Sequence, residues 1–181
     1  MITAFELRLL DWIAAHLRCG FLDSLVPLIT RLGDGGAVWI LLTLVLLIVP
    51  KTRKAGLAVF LALILDLLLC NLLIKPLAAR PRPFAFRDLR LLIPPPPDFS
   101  FPSGHTAASF AAVSALFFTK SSRWLWVSGL ILGTLIALSR LYLYVHYPTD
   151  ILGGVLVGVL CGVFGSFLAK KRWNLSIFRK K

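Results

Sequence analysis

Negative charge is scarce in this chain. Only 8 of its 181 residues are Asp or Glu, and all charged residues together make up 15%. Soluble domains carry about 25% charged residues, so the composition argues against an ordinary soluble globule. Cysteine is scarce as well. Cys19, Cys70 and Cys161 are scattered. That fits neither a disulfide framework nor a metal cluster, and they read as buried apolar thiols. The N-terminus has no unbroken apolar run, because Glu6, Arg8 and Asp11 interrupt it. A cleavable signal peptide is therefore not expected. The chain also has no internal repeat.

What is present is apolar and basic. The hydrophobic fraction is 58% and the net charge +12, with a mean hydropathy of +0.85. Such a chain is not disordered. A basic balance points to nucleic acid or an anionic membrane. In so apolar a chain the expected partner is the lipid bilayer, with no nucleic acid.

Along residues 3–18, Phe5, Leu9, Trp12, Ile13 and Leu17 recur at helical spacing, with Glu6, Arg8, Asp11 and Arg18 between them. This pattern predicts an amphipathic helix in the membrane interface or, alternatively, a helix packed on the bundle. Residues 21–32 form a shorter apolar stretch containing Pro27, closed by Arg31 and Gly33-Asp34-Gly35-Gly36. Five longer apolar segments follow, at 36–50, 55–74, 104–119, 124–138 and 151–169. A spanning helix needs roughly 20 residues, so some of these are short. The expected fold is all-α: an integral membrane helical bundle of about five to six transmembrane segments with N-terminal interfacial helices. We expect one membrane-embedded domain over residues 1–181. Within it, residues 1–34 are interfacial, 36–169 form the core, 76–102 form an extracytoplasmic loop and 170–181 form a basic cytoplasmic tail.

Basic residues set the orientation. Eleven of the 20 cluster at 51–54, 120–123 and 170–181, including Arg179, Lys180 and Lys181. By the positive-inside rule these ends, and the C-terminus, are cytoplasmic. Trp124, Trp126 and Trp173 would sit at that level, and Trp39 near the opposite one. Lys75, Arg80, Arg82, Arg87, Arg90 and Arg140 then crowd the extracytoplasmic side, against the rule. The loop 76–102 holds eight of the 11 prolines, and Pro94–Pro97 should be a stiff polyproline spacer. In the last span, Gly154, Gly158 and Gly162 form a small-residue face. It would serve packing within the protomer or, alternatively, a homodimer. Asp66 lies nine residues before Lys75, half a turn out of phase at about 100° per residue. It reads as a polar contact inside the bundle, with substrate or proton handling as the alternative.

Three stretches of one membrane side carry chemistry: KPLAARPRP from Lys75, FPSGHT from Phe101, and SRLYLYVHYPTD from Ser139. Lys75, Arg82 and Arg140 can surround a phosphoryl group, Arg with paired donors and Lys with a point charge. Ser103 would cap the third span. The first N–H groups of that helix, at Gly104 and His105, would then form an anion site. His146 and His105 can supply a nucleophile and an acid. Asp150, in a first helical turn opened by Pro148, can accept the proton of one His146 nitrogen and leave the other free to attack phosphorus. His105 would protonate the leaving group. No cluster resembles a metal site, so neither a metal nor another cofactor is expected.

The pattern Lys-x6-Arg-Pro, Pro-Ser-Gly-His and Ser-Arg-x5-His-x3-Asp resembles the three-part signature of the type-2 phosphatidic acid phosphatase superfamily, across residues 75–150. The resemblance implies an integral-membrane lipid phosphatase with a phosphohistidine on His146, oriented by Asp150, and His105 as general acid. It implies phosphate binding by Lys75, Arg82, Ser103, Gly104 and Arg140. The short chain and its FSFPSGHT loop are most similar to small bacterial undecaprenyl-diphosphate phosphatases. Phosphatidylglycerol phosphate and phosphatidic acid are the alternative substrates. Vanadate-dependent haloperoxidases share the motifs but are soluble. A non-catalytic lipid-binding or translocating protein would not need the His146–Asp150 pair.

Overall fold

A computed structural model describes residues 2–178, with side chains over 3–172. Trp173, Arg179, Lys180 and Lys181, used above for the aromatic belt and the basic tail, lie outside the described side chains. Among the described residues eight α-helices follow one another: α1 (Ile2–His16), α2 (Gly20–Arg31), α3 (Ala37–Ile48), α4 (Arg53–Asp66), α5 (Lys75–Ala78), α6 (Gly104–Phe118), α7 (Arg123–Tyr142) and α8 (Pro148–Phe178). A π-helical stretch, Leu67–Ile74, joins α4 to α5. The all-helical bundle is as the sequence implies.

The span count differs. By length and apolarity, Pro50–Phe86, Arg123–Tyr142 and Pro148–Arg172 can cross a membrane. The pair Gly20–Arg31 and Asp34–Ile48, bent by 44°, makes a fourth if taken as one span. The break falls at the glycine cluster, where Gly35 and Gly36 have φ of 58° and 73°, a backbone region that costs glycine little. The expected span at 104–119 is the 15-residue α6, about 22 Å long at 1.5 Å per residue. It is short for a bilayer core, yet it meets little lipid, because it is the hub of the bundle and packs on α8, α7 and α4. Ala107, Ala111, Ala112 and Ala115 are buried along it.

Small residues allow that close packing. A Cβ at Gly158 would lie 2.3 Å from the Ala107 carbonyl oxygen, and one at Gly162 would lie 2.4 Å from Ser114 Cβ. A Cβ at Gly154 would lie 2.7 Å from the Ser103 carbonyl oxygen. The Gly154/Gly158/Gly162 face is thus filled by α6 of the same chain. It is not free for the homodimer considered above.

One further expectation needs correction. Trp39 is not an interfacial belt residue. It is 1% exposed and donates from Nε1 to Ser109 Oγ at 3.0 Å. Helix α1 does turn Phe5, Leu9 and Trp12 outward, as an interfacial helix should. Its other face packs on the bundle, as in the alternative reading. Glu6, Leu7 and Leu10 are buried, with Leu7 and Leu10 against Tyr144 and Tyr147. Helix α2 packs similarly, through Val26, on Tyr142, Leu143 and Val145. The N-terminal helices therefore brace the α7–α8 connection.

Candidate active site

The site is built where α6 and α8 begin and α7 ends. The α7–α8 connection, residues 143–147, is buried throughout. Tyr144 takes a left-handed φ of 62°, a conformation that costs a non-glycine residue free energy and persists only when its surroundings hold it. Here the Tyr144 hydroxyl donates to Asp11 Oδ1 at 2.5 Å, and Asp11 also pairs with Arg87 at 3.0 Å. The pairing with Arg87, against the effect of burial and helped by the Tyr144 hydrogen bond, keeps the Asp11 carboxyl below its usual range. The Tyr142 hydroxyl donates to Asp23 at 2.6 Å. Between these anchors the chain turns and sets His146 inward, 1% exposed.

His146 Nδ1–H donates to Asp150 Oδ2 at 3.3 Å. The same oxygen accepts from Ser100 Oγ at 2.5 Å and from the Tyr147 amide at 2.9 Å. These partners leave the lone pair on Nε2, where Arg82 Nη1 donates at 3.2 Å. Burial pushes the imidazole down to about 3, and the Arg82 and Arg140 charges add to it against the Asp150 bond. The ring is therefore neutral at physiological pH, with its free nitrogen on the cation side.

Three cations converge there. Arg82 is 5% exposed, and its Nε and Nη1 donate to the carbonyls of Asp98 and Val145 at 2.8 and 2.7 Å. Lys75 and Arg82 both pair with the Asp98 carboxylate. Burial opposes ionisation of Asp98, but Lys75 and Arg82 outweigh it and hold the carboxyl at about 2. Arg140 Nη1 donates to Thr30 Oγ1 at 2.5 Å, while its buried Nε has no hydrogen-bond partner among the described residues. His105, in the first turn of α6, donates from Nε2 to Asp34 Oδ1 at 2.9 Å.

These groups share one cavity of about 850 Å³. Lys75, Arg82, Gly104, His105, Arg140 and His146 line its polar end, and Ile40, Leu44, Phe60, Leu63 and Leu67 line an apolar end between α3 and α4. At Gly104 a Cβ would lie 2.8 Å from Asn71 Oδ1 and 3.7 Å from Lys75 Nζ, so only glycine keeps this wall open. Among the residues named from sequence, Ser103 and Asp150 do not line the cavity. Asp150 stands behind His146. Ser103 holds the N-cap position of α6, but its hydroxyl makes no cap hydrogen bond and accepts from Thr106 Oγ1 at 3.0 Å. Its amide donates to the Asp150 carbonyl at 3.0 Å, tying α6 to α8.

Asp66 and Lys75 line the same cavity, although α-helical spacing puts them on opposite faces. The wider i→i+5 turns of Leu67–Ile74 rotate the chain less per residue and bring them round. Sequence reasoning missed Asp98, Arg80, Ser100, Thr30 and the pairing role of Asp34 and Glu6. None belongs to a fixed motif position. The surplus of basic residues over visible partners was the one available signal.

A model of the PAP2 superfamily matches residues 55–174. This chain belongs to that superfamily. An undecaprenyl-diphosphatase of Sulfolobus acidocaldarius is 38% identical over 122 residues, 67% of this chain and 58% of that protein. The chain thus spans less than two thirds of that relative's length. Undecaprenyl-diphosphatase BcrC of Bacillus subtilis is 34% identical over 142 residues, 78% of this chain and 72% of the relative. The crystal structure of Aquifex aeolicus LpxE superposes with a TM-score of 0.76 at 29% identity, covering 89% of this chain and 94% of that one. A transmembrane PAP2-type phosphatidylglycerolphosphate phosphatase from Bacillus subtilis superposes with 0.76 at 27% identity, covering 94% and 87%. The PAP2 chain described here is accordingly a multi-pass membrane protein. The superfamily match begins at residue 55, so Glu6, Asp11, Thr30 and Asp34 act on the site from outside it.

Proposed function

We propose that this protein is an integral-membrane lipid phosphatase that hydrolyses a lipid phosphate or diphosphate through a phosphohistidine on His146. One observation carries the reading. A neutral His146, backed by Asp150, faces three cations in a cavity whose far end is apolar. The polar end suits a phosphoryl group and the apolar end suits a lipid chain.

In this mechanism Lys75, Arg82 and Arg140 hold the phosphoryl oxygens and offset charge in the transition state. Arg82 shifts its hydrogen bond from Nε2 to the phosphate, freeing the lone pair. Nε2 then bonds to phosphorus as the phosphorus–oxygen bond to the leaving group breaks. His105, as the imidazolium hydrogen-bonded to Asp34, gives its proton to that oxygen and is left neutral. Asp150 stabilises the positive charge left on the ring. Water, losing its proton to the neutral His105, then attacks phosphorus and displaces Nε2, so that His105 is again protonated, the His146 imidazole is restored and inorganic phosphate leaves.

Undecaprenyl diphosphate is the proposed substrate, supported by the two similar undecaprenyl-diphosphatases. Phosphatidylglycerol phosphate is the alternative, favoured by the Bacillus structural neighbour. The basic ends at 51–54 and 120–123 support an extracytoplasmic site. The test is a phosphate-release panel in detergent with a chelator present, comparing undecaprenyl diphosphate, phosphatidylglycerol phosphate, phosphatidic acid and lysophosphatidic acid. The diphosphate should turn over fastest. His146→Ala should lose at least about a thousandfold in kcat, as loss of a nucleophile does, while melting like the wild type. Turnover surviving in that variant, or a wild type inert on every lipid, overturns the reading.

A further inference from the structure

Glu6 lies on α1, outside every motif and outside the superfamily match. It is 2% exposed. Its Oε2 accepts from Arg80 Nη2 at 2.6 Å. Its Oε1 accepts from the Thr149 amide at 2.9 Å and from the Thr149 hydroxyl at 2.6 Å. Arg80 Nη1 in turn donates to Asp150 Oδ1 at 2.6 Å. The Arg80 guanidinium carbon sits 3.8 Å from the centroid of the Tyr147 ring. Two carboxylates and one aromatic face therefore fix Arg80 on a single line from α1 to His146.

We propose that Glu6 is a positioning residue for the reaction: by sharing Arg80 with Asp150 it sets the orientation and tautomer of His146. The inference rests on His146 being the nucleophile. Two carboxylates taken out of water are costly unless fully hydrogen-bonded, and each oxygen of Glu6 is. A neutral acceptor would suffice if Glu6 only satisfied the first turn of α8. The negative charge matters because Arg80, paired with Asp150 alone, would draw that carboxylate's electron density to itself. Asp150 would then hold the His146 Nδ1–H less firmly. Groups that orient a reactive histidine from behind are worth about 10–100-fold in activity.

The experiment uses the full chain in detergent, with steady-state kinetics on the best lipid and trapping of the phosphoenzyme. Glu6→Ala should lower kcat by about 10–100-fold and leave KM within twofold. Glu6→Gln keeps the acceptor for Thr149 and loses the charge, so kcat should fall between the two. Combining Glu6→Gln with Arg80→Gln should be no worse than the poorer single variant. Arg8→Gln, on the exposed side of the same helix, should match the wild type. If Glu6→Ala fails to fold, Glu6→Gln carries the test alone. Wild-type kcat in Glu6→Gln, or a loss confined to KM, overturns the inference. An active wild type with a dead His146→Ala and an unimpaired Glu6→Gln sinks this inference and leaves the phosphatase reading standing. An inert wild type sinks that reading first.

Discussion

Asp98 Oδ1 lies 2.6 Å from Arg82 Nη2, and its other oxygen pairs with Lys75. The carboxylate occupies two of the three cations proposed to hold phosphate, so a bound phosphoryl group must compete with it. Asp98 is about half exposed, which limits the charge effect to the order of 1 kcal/mol. Asp98→Asn should therefore lower the inhibition constant of inorganic phosphate about fivefold, the same free energy expressed as a ratio. Product-inhibition kinetics measure it. A raised constant would mean that Asp98 serves chiefly to hold Lys75 and Arg82 in place.

Buried His146, held at about 3, makes stability depend on pH in a known direction. Its folded pKa lies below the unfolded value of about 6.5. The unfolded chain thus binds the extra proton first as pH falls. The contribution is full above about 6.5 and is lost as pH drops toward 3, with a limiting slope of about 1.4 kcal/mol per pH unit. Thermal melts of the wild type and His146→Gln between about pH 7.5 and 4.5, from above the unfolded pKa into the window between the two values, should diverge. The wild type should lose more stability on acidification. Parallel curves would show that the imidazole titrates in the fold as it does in the unfolded chain.

The motif residues were legible because their chemistry is local. Lys75, Arg82, His105, Arg140 and His146 reach the same cavity, since each sits at or just beyond a helix end on one side of the bundle. What stayed hidden was decided by packing. Periodicity separates an apolar from a polar face but does not say what occupies the polar one, so it did not show that Glu6 and Asp11 grip Arg80 and Arg87. The phase argument for Asp66 assumed uniform α-helix, and the π-helical stretch broke it. Asp98 follows four prolines and has no spacing to betray it. Acid is so scarce in this chain that its placement is informative: Glu6, Asp11, Asp34, Asp98 and Asp150 all pair with Arg, Lys or His side chains at or around the site.

Gly158 tests the assignment of the glycine face to packing within one protomer. A methyl group there would meet the Ala107 carbonyl oxygen at 2.3 Å and the Ala111 amide nitrogen at 3.0 Å. Both are backbone atoms, which do not swing aside as a side chain would, so α6 and α8 must separate. Such overpacking costs about 1–3 kcal/mol. Gly158→Ala should lower the melting temperature by several degrees, on the order of 2–4 °C per kcal/mol for a chain of this length. Because α6 carries His105 and α8 carries Asp150, kcat should fall as well. The particle mass in detergent should not change. Leu156→Ala, on the exposed side of α8, is the control and should keep its activity. A drop in mass at unchanged melting temperature in Gly158→Ala would instead place this face between two copies of the chain.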